Sequence, residues 1–222
     1  MMRTTKMHPG LLYRLLLIAV LLGVLSCHRQ SPSHYLKNGS AKFQLQDYAG
    51  AIEELDQAIR LKDDYKEAYY VRALSLVHLN RFDQAADDFD KVIEMDPFFK
   101  DAWFNRAFYI KQRAGDFAAA IDDYNRFIEL TPGGDHSFAL NNRGYAKYKL
   151  NDLDGALKDI ENSISLNMGN SYAYRNRALV YIAKENLELA CNDLETALAL
   201  GFTKSYGGEV QGLYDLYCDK ER

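Results

Sequence analysis

Downstream of residue 34 the chain repeats one pattern of large and small apolar positions against a polar background. Large apolar residues stand at Tyr35, Tyr69, Trp103, Leu140 and Tyr174, each followed four residues on by a small one, Gly39, Ala73, Ala107, Gly144 or Ala178. A second block follows each first. It opens on Tyr48, Phe82, Phe117, Leu153 or Leu187, passes a small residue at Ala51, Ala85, Ala120, Ala156 or Ala190, and reaches Leu55, Phe89, Tyr124, Ile160 or Leu194. Three- and four-residue intervals within a block put these side chains on one face of a helix. Two blocks per period predict a helical hairpin copied five times. The period is 34 residues except around the third copy, where it grows by one and then by two.

An aromatic residue, a small residue, an alanine and a large apolar residue in this order resemble the tetratricopeptide repeat. Two copies also carry that family's closing proline, at Pro97 and Pro132. The resemblance implies an all-α fold, a right-handed α-solenoid of about five repeats over residues 34–204, with copies near 32–65, 66–99, 100–134, 137–170 and 171–204. The small residues fall where helices approach most closely, and overpacking such a site typically costs about 1–3 kcal/mol. A single hairpin cannot bury its apolar face, so at least three must stack. Arg113-Ala114-Gly115 reads as one extra residue in the turn of the third copy, and Gly133-Gly134-Asp135-His136 as two more after Pro132. These are either loop drift or a change of pitch that divides the array. Gly207-Gly208 then break the chain. Val210, Leu213, Tyr214 and Tyr217 recur at helical spacing, so 205–222 reads as a helix capping the open end of the stack.

The opening segment differs. A short basic region ends at Arg14, and Leu15 to Leu25 is an uninterrupted apolar run. Eleven helical residues rise roughly 16 Å, about half of a ~30 Å hydrocarbon core, which suits a signal peptide over 1–26 better than a membrane span. Val24-Leu25-Ser26-Cys27 resembles the lipobox of bacterial lipoproteins, although Leu25 stands where alanine or serine is usual. That resemblance implies cleavage before Cys27, acylation of Cys27, a tether over 27–33 and a lipid anchor in the cell envelope. His28 after the cysteine suggests the outer membrane, at its periplasmic face or surface. An uncleaved signal anchor is the alternative.

Charge changes the picture of partners. Removing Arg3, Lys6 and Arg14 with the leader leaves 24 basic against 31 acidic side chains. An acidic chain without a basic run has no footprint for nucleic acid. The histidines show no metal spacing, no phosphate loop or nucleophile motif appears, and neither catalysis nor a cofactor is expected. Arg72, Arg106, Arg143 and Arg177 share one repeat position, and Asp88, Asp123, Asp159 and Asp193 another. They read as an ion-pair ladder or as solvated charges. The acid pairs Asp87-Asp88 and Asp122-Asp123 are expected at helix ends or on outward faces.

Carrying the family's concave positions onto this register selects Tyr70, Phe104, Phe108, Tyr145, Tyr148 and Tyr172, joined by Lys111, Asn141, Lys149 and Arg175. Aromatic rings with scattered donors suit recognition of a peptide or protein; the other reading is that some tyrosines only fill the stack. Asn105, Asn142 and Asn176 recur beside the arginines without a lysine set that would clamp a carboxylate. Outside the cytoplasm, Cys191 and Cys218 should be bonded or buried as free thiols. The expectation is a non-enzymatic, membrane-anchored scaffold for a protein or peptide partner, with a glycan- or nutrient-binding accessory lipoprotein as the alternative.

Overall fold

The computed structural model describes residues 30–218; the expected signal peptide and Cys27 lie outside them. The described residues form twelve α-helices and no strand, five antiparallel hairpins and a terminal pair. The hairpins are α1 (Pro32–Gln44) with α2 (Tyr48–Leu61), and α3 (Lys66–His78) with α4 (Phe82–Met95). Next come α5 (Lys100–Arg106), continued by a π turn (Ala107–Lys111), with α6 (Phe117–Glu129). Then α7 (Ser137–Lys149) pairs with α8 (Leu153–Leu166), and α9 (Ser171–Ala183) with α10 (Leu187–Ala199). The last two helices are α11 (Phe202–Tyr206) and α12 (Glu209–Tyr217). Ser31 caps α1 by accepting from the His34 N–H at 3.2 Å, so residues 32 and 33 of the expected tether are helical.

Close packing follows the repeat pattern. Leu55, Phe89, Tyr124, Ile160 and Leu194 are fully buried, each within its own hairpin. Burying a side chain of this size contributes about 1.5–3 kcal/mol. The glycines show how tight the crossing is. A Cβ on Gly39 would lie 2.7 Å from Leu55 Cγ, and one on Gly144 would lie 2.6 Å from Ile160 Cγ1. Alanine serves at the same position in the other three hairpins.

All five hairpins use one turn. Gln46, Asn80, Gly115, Asn151 and Glu185 are left-handed. The next residue's N–H then donates back to the carbonyl of Lys42, Leu76, Lys111, Lys147 or Tyr181, at 2.9 Å each time. Four of the second helices are capped by the side chain at their N-terminus, Asp47, Asp116, Asp152 or Asn186. The fifth has Arg81 there, with no side-chain cap.

This shared turn corrects the expected place of the extra residue in the third hairpin. Arg113-Ala114-Gly115 form the same turn as every other copy. The insertion is absorbed upstream, where the Gln112 N–H reaches back five residues to the Ala107 carbonyl at 2.9 Å and opens the π turn.

The arginine positions form the ladder. Arg72 grips Asp88 through Nε and Nη2 at 2.8 and 2.7 Å and reaches Asp56 of the preceding hairpin through Nη1 at 2.5 Å. Arg106 does the same with Asp123 and Asp90. Arg143 grips Asp159 and donates to Asn125, and Arg177 grips Asp193. This corrects the expectation that the acid pairs lie at helix ends or on outward, solvated faces: Asp88 and Asp123 are 4% and 3% exposed. Burial lowers the Arg72 and Arg106 pKa values, but the carboxylate hydrogen bonds outweigh it and hold both above the ordinary arginine value. For Asp88 burial prevails and raises the carboxyl in spite of Arg72.

At the far end α12 lies on α10. Val210 is fully buried in a cluster with Leu194, Ala197 and Phe202, with Leu213 and Tyr214 packed beside it. A disulfide joins Cys191 of α10 to Cys218, with their Cα atoms 5.6 Å apart. The capping segment expected over 205–222 starts earlier, because α11 already begins at Phe202.

Candidate functional site

The first helices of the third, fourth and fifth hairpins surround a pocket of about 430 Å³. Helix α5 and its π turn contribute Phe104, Phe108, Tyr109 and Gln112; α7 contributes Phe138, Asn141, Asn142 and Tyr145. The remaining wall is Asn170, then Tyr172, Arg175 and Asn176 of α9, and Tyr206 of α11. Six of the ten residues selected from the sequence thus meet here: Phe104, Phe108, Asn141, Tyr145, Tyr172 and Arg175.

The other four lie elsewhere. Tyr70 is locked in the upstream stack, its ring 4.9 Å from Phe99 and its hydroxyl accepting from Asn105 Nδ2 at 2.8 Å. Burial and nearby Asp101 push its pKa up to about 12, although the Asn105 bond works the other way. Tyr148 packs against the core between the fourth and fifth hairpins. Lys149 sits over the Phe117 ring at 5.8 Å, and half-buried Lys111 closes the π turn.

A layer of amides floors the pocket. Asn176 Nδ2 donates to Asn141 Oδ1 at 2.9 Å, and both residues are buried. Arg175 Nη1 donates to Asn176 Oδ1 at 2.7 Å, and Nη2 pairs with Glu209 of α12. The guanidinium also lies over the Tyr145 ring at 5.5 Å. Beneath, fully buried Tyr124 donates from its hydroxyl to Gln112 Oε1 at 3.2 Å. Its pKa is pushed well above the usual range by burial. Tyr172 and Tyr206 pack at 4.4 Å and tie the rim to the terminal helices.

Sequence reading missed Tyr109, Gln112, Phe138, Asn142, Asn170, Asn176 and Tyr206. Two signals could have found the cavity. Tyr65, Phe99, His136 and Asn170 occupy one repeat position, and Tyr70, Phe104, Asn141 and Arg175 another. Upstream these two positions meet as the aromatic pair Tyr70 and Phe99. Downstream they are Asn141 and Asn170, whose smaller side chains leave the space open. Among the described residues no group of three or more His, Cys, Asp or Glu is placed to hold a metal ion.

Comparison with known proteins defines the class. The tetratricopeptide repeat model matches residues 36–98, 71–135 and 105–165. Together these spans cover more than half of the chain, and the chain belongs to the tetratricopeptide repeat family. Proteins of this family are generally non-enzymatic scaffolds for protein interaction. It is 29% identical over 100 residues to the DnaJ homolog subfamily C member 7 homolog of Dictyostelium discoideum, 43% of this chain and 18% of that protein. The chain spans less than a fifth of the length of the curated relatives it first matches. Among solved structures it is similar to MamA 41-end from Desulfovibrio magneticus RS-1, with a TM-score of 0.71 at 14% identity, covering 78% of this chain and 97% of that one. It is also similar to YrrB, described as a TPR protein with an unusual peptide-binding site, with a TM-score of 0.66 at 21% identity over 75% of this chain and 84% of the other.

Proposed function

We propose that this protein is a non-enzymatic scaffold, anchored to a bacterial envelope membrane through acylated Cys27, that holds a peptide or protein partner in its downstream pocket. The observation that carries the reading is the pocket itself, with aromatic walls around a floor of buried amides. Aromatic anchoring surrounded by a few fixed polar groups is how interfaces concentrate binding energy. The peptide-binding site named for YrrB adds an analogy of fold, which bears on surface type and not on the partner's identity. The lipobox resemblance supports the anchor, and His28 supports the outer membrane. Assembly or retention of an envelope complex is the task that suits such a molecule.

Rings and amides together also suit a sugar, so a glycan-binding accessory role is the second reading. Long insertions that would build a glycan site do not interrupt the described repeats.

The test is capture of partners from native membranes in mild detergent. Asn170→Phe restores the aromatic residue that closes the upstream equivalent, and it should weaken partner capture on the order of a hundredfold, the scale of a lost binding hot spot. Cys27→Ser should move the protein out of the membrane fraction. Partners kept equally by wild type and Asn170→Phe would remove the pocket from the reading, and membrane retention of Cys27→Ser would remove the acyl anchor.

A further inference from the structure

The pocket is lined by two buried donors that the fold leaves unused, Arg175 Nε and the side-chain amide of Asn170. Asn170 precedes α9, at the position where a side chain could cap the helix, yet it makes no capping bond. It is 6% exposed, lines the pocket, and its Nδ2 donates to nothing. A buried donor without an acceptor is costly, and few native side chains are left so. The neighbouring positive charge is already paired, although one of its donors, Arg175 Nε, has no acceptor. Arg175 is paired with Glu209, bonded to Asn176 and laid over Tyr145, so the chamber presents a charge-compensated interior whose free donors are the Asn170 amide and Arg175 Nε.

The walls fix the rest of the chemistry. The π turn carries both Phe108 and Tyr109 onto the pocket, and such turns recur at functional sites. A carboxylate entering between these rings would lose its hydration without gaining an unpaired cation. The volume of about 430 Å³ is near the lower end of the roughly 300–1,000 Å³ seen for small-ligand sites. That accommodates one or two side chains, whereas a whole helix is about 10–12 Å across.

We infer that the pocket takes one large apolar side chain of an extended partner segment, with a backbone carbonyl of that segment accepting from Asn170 Nδ2. This rests on the interaction-scaffold reading and narrows it to a neutral, aromatic or bulky aliphatic anchor.

The experiment is an NMR titration of the full chain in detergent micelles with three probes. They are acetyl-Gly-Gly-Phe-Gly-Gly-amide, its analogue with Glu in place of Phe, and cellobiose. The Phe peptide should shift the Asn170 side-chain amide and the Phe108 and Tyr145 ring signals. Asn170→Ala should weaken that binding about three- to tenfold, the range of one hydrogen bond, while the melting temperature of the free protein stays level or rises. A merely structural asparagine would lower it. Tighter binding of the Glu peptide at the same signals would overturn the inference and leave the scaffold reading standing. Equal affinity in Asn170→Ala would overturn the hydrogen bond. Movement of these signals by cellobiose alone would overturn both readings. No movement with any probe would overturn the inference, with the scaffold reading judged separately by partner capture.

Discussion

The upstream and downstream halves of the solenoid are built from the same hairpin, yet the space in front of the first helices is filled in one and open in the other. Between the second and third hairpins, Tyr70 and Phe99 fill the space in front of the first helices. Between the fourth and fifth, Asn141 and Asn170 occupy those two positions and a pocket remains. The ladder changes character at the same place. Arg72 and Arg106 each bridge two carboxylates. Arg143 has one carboxylate and the amide of Asn125, and Lys147 joins it on Asp159 at 2.8 Å. The contrast teaches that a repeat protein makes a site by omission. Residues that hold the hairpins together are kept, while those that would fill the groove are exchanged for smaller, polar ones.

The comparison can be broken most severely through the ladder. Asp88→Ala leaves Arg72 facing Asp56 alone, and breaking a buried pair on one side costs about 3–5 kcal/mol. Chemical denaturation should show that loss. A change below about 1 kcal/mol would mean the upstream arginines behave as surface charges. The downstream half has its own fastening in the disulfide, which closes a loop across a sequence separation of 27 residues. Cys191→Ser should cost roughly 3 kcal/mol, with hydrogen exchange rising in α12 before it rises in α3. Two reactive thiols in the unreduced, denatured wild type would show that the bond does not form in solution. The smallest effect sharpens the contrast from the other side. Arg81→Asn supplies the second-helix cap that the other four hairpins have and the second lacks, and should stabilise by about 0.5–2 kcal/mol. No change in the thermal midpoint would indicate that Arg81's bond to Gln84, at 2.6 Å, already does as much.

Much of the architecture was legible because a repeat states each constraint five times. The small residues, the buried large residues and the ladder positions could be aligned without a partner sequence, and their spacing alone implies helix pairs in contact. Two things were not legible. The extra residue of the third copy was read into a turn, because loops are the usual place for length variation. In fact the left-handed residue at Gly115 and the hydrogen bond from Asp116 keep that turn identical to the others, and a π turn leaves no composition signal. The pocket was only partly legible for a related reason. Its aromatic walls resemble known groove positions, but Asn170 matters by being smaller than Phe99, and Tyr206 is supplied by a helix outside the repeat. Tyr148 shows the converse: a groove position by register whose half-buried ring packs against the core instead of the pocket.

In a linear stack each unit is held only by its neighbours, so thermal opening starts at the ends and works inward. The bond between Cys191 and Cys218 makes the two ends unequal. Opening from the last hairpin requires a covalently closed loop to come away as one piece, whereas α1 can peel off alone. The pocket lies beside the stitched end, with Tyr206 and Glu209 of the terminal helices touching its rim. A pull on a bound partner would therefore be carried into the part of the molecule least able to unzip, and the first hairpin could melt and re-form without releasing it.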